Sequence, residues 1–384
     1  MNSAFISKPW PRRLLWSSIL AIALWWVLRL TAFGQPAPGD SGEWPKTNFD
    51  NAIVDFSEIM SGGPPKDGIP AIDNPKFVPH SDASSWLDDR EPVIVVQLGE
   101  QARAYPLQIL MYHEIVNDTL DGRPISVTFC PLCNASIVFD RRVDGRVLDF
   151  GTTGRLRKSD LVMYDRQTET WWQQFTGRGI IGDYAGTVLQ TVSARIVAYE
   201  DFRSAFPTSD VLSRNTGFRR PYGNNPYRGY DRIGQQPFLF RDPVDSRLPA
   251  MERVINVSVD GVHRLYPFSA FKTQPVINDT INTVPMVVFS RDGTLSVLDD
   301  GTIADSRSIP SAAAYDRRHG GDVLTFDVED GRVVDRETGS QWDMFGRAVN
   351  GELQGESLDA MNDGVHFAFA WLAFNPDSEI YSGQ

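Results

Sequence analysis

One stretch of this 384-residue sequence recurs, and the recurrence limits what the chain can fold into. Tyr105-Pro106, Val116-Asn117-Asp118-Thr119 and Pro124 reappear as Tyr266-Pro267, Ile277-Asn278-Asp279-Thr280 and Pro285, each 161 positions further on. Asp165-Arg166-Gln167-Thr168 is answered by Asp335-Arg336-Glu337-Thr338, Trp172 and Phe175 by Trp342 and Phe345, and Gly177-Arg178 by Gly346-Arg347. A repeat of this length implies two related units rather than a solenoid array. It also supplies an internal control. Residues present in both copies serve the fold, whereas reactive residues present in one copy point to function.

The first copy alone carries Cys130-Pro131-Leu132-Cys133-Asn134, and His113 falls on Gln274 in the second. The polar, basic stretch Gly151–Asp160 is also private to the first copy, the matching segment between Phe326 and Asp335 being six residues shorter. Trp171 has Gln341 opposite it.

Residues 93–212 form the first unit, which carries the site, and residues 251–384 the second, degenerate one. Residues 48–92 lead into the first unit through Gly62-Gly63-Pro64-Pro65-Lys66-Asp67-Gly68-Ile69-Pro70, which is too dense in Gly and Pro for helix or central strand. Residues 213–250 are a loop-rich connector, and so long a structureless stretch is expected only where it serves a site or an interface. Strands are predicted at Val93–Gln97, Ile125–Phe129, Ser136–Arg141, Leu148–Phe150, Val162–Asp165, Trp171–Phe175 and Val188–Val192, with Val254–Val259 opening the second unit. Helices are predicted at Leu107–Glu114 and Tyr199–Phe206, Asn117-Asp118 and Asn278-Asp279 as turns, and Gly151–Asp160 as a loop. The fold class is therefore α+β, with two tandem related units rich in short antiparallel strands, barrel- or sandwich-like, with small helices. Asp118 and Asp279 are read as structural turn residues.

Lys8, Arg12 and Arg13 precede the apolar run Leu14–Leu28, with small residues Ala32 and Gly34 ahead of Gln35. This reads as a signal peptide over residues 1–34, or as an N-terminal anchor if uncleaved, followed by a Pro/Gly-rich linker at 35–47. The expected location is periplasmic or extracellular, with membrane contact only through the N-terminal segment. The chain has 37 Lys and Arg against 49 Asp and Glu, a net charge of −12, and losing Lys8, Arg12, Arg13 and Arg29 makes it more acidic still. Like charges repel, so nucleic acid is not the partner. An unidentified small molecule or a redox partner is expected instead.

A single Cys-x-x-Cys admits four chemistries. As a metal knuckle, its proline tightens the turn, and Asn134 supplies the left-handed residue that turns backbone N–H groups toward the thiolates. Such a knuckle gives two ligands, so His113 is the leading third, with Met163 as a weak fourth. Copper is expected before zinc. As a redox dithiol it would need to open a helix, yet Ala135–Phe139 reads as strand. As a disulfide it would simply reflect an oxidising compartment. As a thiol enzyme it would use one cysteine with His113 as base. Arg155, Ser159 and Trp171 are candidate ligand-binding residues, Arg155 because a Gly-containing basic loop can hold an anion. No paired-carboxylate, Gly-x-Ser-x-Gly or His-Glu-x-x-His arrangement occurs.

Several blocks carry a family resemblance: Gly62 to Pro70, His113-Glu114-Ile115-Val116-Asn117-Asp118, Phe129 to Asn134, Ser159-Asp160 with Tyr164-Asp165-Arg166, and Trp172 to Gly177. They resemble the domain of unknown function 3179 family of exported proteins, over most of the chain after residue 50. The resemblance implies that the Cys pair and His113 belong to the family pattern. It implies no activity. Asn375 stands where family members often have a histidine before Pro-Asp, a departure that weighs against a functional role for the second half. The expected function is metal binding through the knuckle, for redox chemistry or metal handling. The alternatives are an extracellular ligand-binding module with a structural disulfide, or a thiol-dependent enzyme.

Overall fold

The computed structural model describes residues 42–383. The signal or anchor segment and most of the linker lie outside the described residues. None of the described helices is long and apolar enough to cross a membrane.

Three main sheets build the described part of the first half, beside a two-stranded ribbon of Arg142–Val143 and Arg146–Val147. Strand Pro92–Leu98 forms a hairpin with Gln101–Pro106, Ala194–Ala198 pairs antiparallel on one side, and Asp210–Leu212 pairs parallel on the other. Strands Ile115–Leu120, Arg123–Cys130 and Ala135–Asp140 form a second antiparallel sheet, and Phe150–Arg157, Asp160–Asp165, Trp171–Gln173 and Arg178–Ile181 a third. The same strand orders occur in the second half. Arg253–Val259, Val262–Pro267, Asn362–Phe367 and Glu379–Ile380 match the first sheet. Val276–Ile281, Val284–Leu295 and Ser308–Asp316 match the second, and Phe326–Glu329, Arg332–Asp335, Gln341–Trp342 and Ala348–Asn350 the third.

Side-chain contacts repeat along with the strand orders. Asp118 accepts from Arg103 Nη1 (2.8 Å) and Tyr105 Oη (2.6 Å), as Asp279 does from Arg264 Nη1 and Tyr266 Oη (both 2.7 Å). Asp165 takes the Trp172 indole N–H at 3.0 Å, and Asp335 takes that of Trp342 at 2.9 Å.

Among the described residues the fold is mostly β, with several small sheets, a few one- or two-turn helices and no closed barrel, so helix has a smaller part there than the α+β expectation gave it. Helix Leu107–Leu110 stops short of Glu114, which takes φ +56° and turns the chain directly into strand. Asn117-Asp118 and Asn278-Asp279 are not turns. They lie within strands, and the bends come at Asp121-Gly122 and Asn282-Thr283, where φ is positive at both residues. Asp118 and Asp279 are structural as clamps on the neighbouring hairpin. Gly151–Asp160 is not a loop either, but most of a strand and its hairpin turn, with a bulge between Thr152 and Arg155. Gly154 allows that bulge, since a Cβ there would run into the Pro64 carbonyl oxygen.

The lead-in segment adds strand Ile59–Ser61 to the edge of Phe150–Arg157. Residues 213–250 after Leu212 contain no strand or helix. The largest apolar core includes both cysteines and draws on the two halves, with Phe129, Met163 and Phe175 from one and Phe367, Phe369 and Trp371 from the other.

Candidate metal centre

Strand Arg123–Cys130 ends at the first cysteine, and Cys130 is in register with Ala135 across the turn Pro131–Asn134. Asn134 has φ +50°, the left-handed geometry expected of it, and the chain resumes as strand Ala135–Asp140. No helix follows the second cysteine, so the dipole that activates a redox dithiol is missing. The thiols are not bonded to each other, and their residues are 2% and 0% exposed. Both face the Ser159 carbonyl oxygen, at 3.9 Å from Cys130 Sγ and 3.5 Å from Cys133 Sγ.

That carbonyl is presented by a tight hairpin. Arg157 pairs with Asp160, and the two residues between them, Lys158 and Ser159, have φ +54° and +66°. Two-residue hairpins of this type need positive φ at both positions, and side-chain-bearing residues enter that region at some strain. The same turn swings Asp160 under the cysteines. Sγ of Cys130, Sγ of Cys133 and a carboxylate oxygen of Asp160 all lie within 4.8 Å of one another, fully buried. Asp160 Oδ2 is fixed by Gln173 Nε2 at 2.5 Å and the Phe175 N–H at 2.9 Å, while Oδ1 is buried without a hydrogen-bond partner.

The electrostatics are those of an acidic cluster with no cation. Burial pushes both thiols above their ordinary value, Cys133 well above it. Burial also lifts the Asp160 carboxyl to about 7, against hydrogen bonds from Gln173, Phe175 and the two thiols that favour its ionised form. Glu114 is lifted to about 8 by burial and by the charge of Asp160. Among the described residues neither carboxyl has a Lys or Arg ion pair, and the nearby Lys158 ammonium turns to Asp242 at 3.3 Å and the Ala373 carbonyl at 2.9 Å. Raised thiols are also poor nucleophiles. What the arrangement can do is bind a cation, since a divalent metal displaces the thiol protons and supplies the missing positive charge.

The connector roofs the site. Tyr230 Oη donates to the Leu132 carbonyl at 3.1 Å, and Ser159 Oγ donates to the Phe238 carbonyl at 2.5 Å.

His113 does not reach the cysteines as a ligand. Its Nδ1 lies 2.7 Å from the Pro70 carbonyl, which can only accept, so Nδ1 carries the proton and Nε2 accepts from Tyr222 Oη at 2.6 Å. Burial holds the ring down to about 4, neutral and committed at both nitrogens. Arg155 and Trp171 lie apart from the thiols, in a cluster under the lead-in segment. Arg155 sits 5.4 Å from the Trp171 ring and 3.7 Å from Glu43, and Trp171 packs edge-on to Trp44. Arg155 Nε and Trp171 Nε1 are both buried there without a hydrogen-bond partner. Ser159 is at the site through its backbone oxygen rather than its hydroxyl. Met163 shares the apolar core with both cysteines.

Sequence reasoning missed Asp160 and Glu114. For Glu114 the repeat held the clue, because its partner 161 positions on is Pro275. Asp160 was hidden by reading its strand as a loop. No curated protein and no solved structure gives a significant match to this chain. One family model matches it, over residues 66–378, and the chain therefore belongs to the protein family of unknown function DUF3179.

Proposed function

We propose that the protein binds a divalent transition metal, zinc before copper, through Cys130 Sγ, Cys133 Sγ and Asp160 Oδ1. The observation that carries this reading is the buried set of two thiols and one carboxylate within 4.8 Å of one another, with no Lys or Arg paired to it among the described residues. Two sulfurs and a hard carboxylate oxygen suit tetrahedral zinc better than the softer set that copper(I) prefers. Three protein ligands leave a fourth position open, the pattern of zinc sites that meet a small molecule. Glu114, buried and feeling the charge of Asp160, is the acid we assign to that position. The basic, then apolar N-terminus supports action outside the cytoplasm. The matching strand orders of the two halves support descent from one duplicated unit, of which the second has kept the frame and lost the ligands.

The test is elemental analysis with a free-thiol count on the full chain, purified without chelator. Near-stoichiometric zinc is expected, lost in Cys130→Ser, Cys133→Ser and Asp160→Asn but retained in His113→Ala. A folded, thiol-reduced protein that takes up neither zinc nor copper would sink the proposal. Copper in place of zinc would correct the element and keep the site.

A further inference from the structure

A second site lies between the halves, away from the cysteines, and is built around Arg195. This arginine stands on strand Ala194–Ala198 and makes no ion pair with Asp343 or Asp363, the acids that feel its charge. Only Nη1 is hydrogen-bonded, to Ser193 Oγ at 3.3 Å, while Nε and Nη2 are buried with no hydrogen-bond partner. The phenol of Tyr315 is the neighbour that interacts with the guanidinium, its ring 4.9 Å from the guanidinium carbon, while its hydroxyl donates to the Met344 carbonyl at 2.6 Å. Asp363 is engaged elsewhere, accepting from the Ala314 N–H at 2.7 Å.

Leaving two donors of a guanidinium buried and unsatisfied is costly, and native structures reserve such groups for a partner. Which two are unsatisfied is informative. Nε–H and one Nη2–H form the side-on edge of the guanidinium, whose parallel donors match the two oxygens of a carboxylate. Arg195 lines a cavity of about 280 Å³ whose other walls come from both halves: Val95 and Gln97 on one side, Phe345, Arg347 and Leu358 on the other. None of the described residues lining it is an Asp or Glu, despite the acidity of the whole chain. The walls beyond the arginine are mixed, with Val95, Phe345 and Leu358 apolar and Gln97, Ser193, Arg347 and Ser357 polar, and the volume falls below the range of roughly 300–1,000 Å³ typical of drug-sized ligands.

We propose that this cavity binds a small organic carboxylate, its oxygens bidentate on Nε and Nη2 of Arg195 and its short apolar tail against Val95, Phe345 and Leu358. The second half then contributes a binding wall as well as packing. The site is independent of the metal reading, because it shares no residue with the cysteine cluster.

Calorimetric titration of the full chain with sodium butyrate tests it, with butyramide and inorganic phosphate as comparison probes. Butyrate should bind and butyramide should not, and Arg195→Met should weaken butyrate roughly tenfold or more. Ala360→Trp, at an exposed position on the cavity rim, keeps the arginine and should also block binding, so the proposal stays testable if Arg195→Met does not fold. No butyrate binding, equal binding of butyramide, or binding unchanged in either folded variant would overturn it. Binding of phosphate without butyrate would overturn the carboxylate assignment.

Discussion

Two hairpins at matching places in the third sheet of each half are turned differently. In the second half, Asp330-Gly331 joins Phe326–Glu329 to Arg332–Asp335, with φ +49° and +75°. Asp-Gly is among the sequences that adopt this turn most readily. In the first half the same geometry is forced on Lys158-Ser159, neither of which favours it. The easy turn carries no chemistry, whereas the strained one holds a carbonyl and a carboxylate against two thiols and hands its serine hydroxyl to the connector. Local preference has been given up beside the buried cysteine cluster and kept at the matching turn of the other half.

The sharpest way to break the comparison between halves is to cut the shared aspartate clamp in each. The Asp118 side chain is 7% exposed against 20% for Asp279, with near-identical partners. Asp118→Ala should cost about 3–4 kcal/mol because it strands Arg103 and a buried phenol, and Asp279→Ala about half of that. Urea unfolding of both variants measures it, and equal losses would mean that burial does not distinguish the clamps.

A second contrast is titratable. Glu91 is buried, accepts from Gln108 Nε2 at 2.6 Å, and is raised by burial to about 7, while Glu252, at the corresponding place ahead of strand Arg253–Val259, is only half-buried. A carboxyl raised in the folded state keeps its proton there after the unfolded chain has released it. Its favourable contribution is therefore complete below the unfolded value near 4.5 and is lost as pH rises to about 7. Glu91→Gln should gain on the wild type by up to about 3 kcal/mol between pH 4.5 and 8. Parallel unfolding curves for Glu91→Gln and wild type at both pH values would refute the assignment.

The smallest effect expected is from exchanging the turns. Replacing Lys158-Ser159 by Asp-Gly should relieve backbone strain worth about 1–2 kcal/mol, less whatever the lost Ser159–Phe238 bond returns. Metal content should survive, because the Ser159 carbonyl and Asp160 remain. A variant that is more stable and still loads zinc fits this account, and one that unfolds earlier would show the serine tether to be the stronger term.

The strands of the first two sheets were legible because Val, Ile and Phe alternate or run together between turn residues. The third sheet was less so. Gly151, Gly154 and the charges of Arg155, Arg157 and Lys158 read as loop, and only the bulge and the covering strand Ile59–Ser61 make strand of them. The cysteine turn, with its left-handed Asn134, followed from local rules. The third member of the cluster did not, because Asp160 meets Cys130 through a hairpin, and that proximity depends on how two sheets pack. His113 was drawn in by its residue type, since nothing in the sequence reveals that Pro70 and Tyr222 already hold its ring.

The roof over the cysteines has a kinetic consequence. Cys130 and Cys133 are the only cysteines of the chain and are almost fully enclosed. A thiol reagent can reach them only in the fraction of time that the stretch around Tyr230 and Phe238 lifts, or when the protein unfolds. Their labelling rate at increasing reagent concentration is thus a clock for that opening, set by the bonds to Leu132 and Ser159 and slowed further by any ion that ties the sulfurs down.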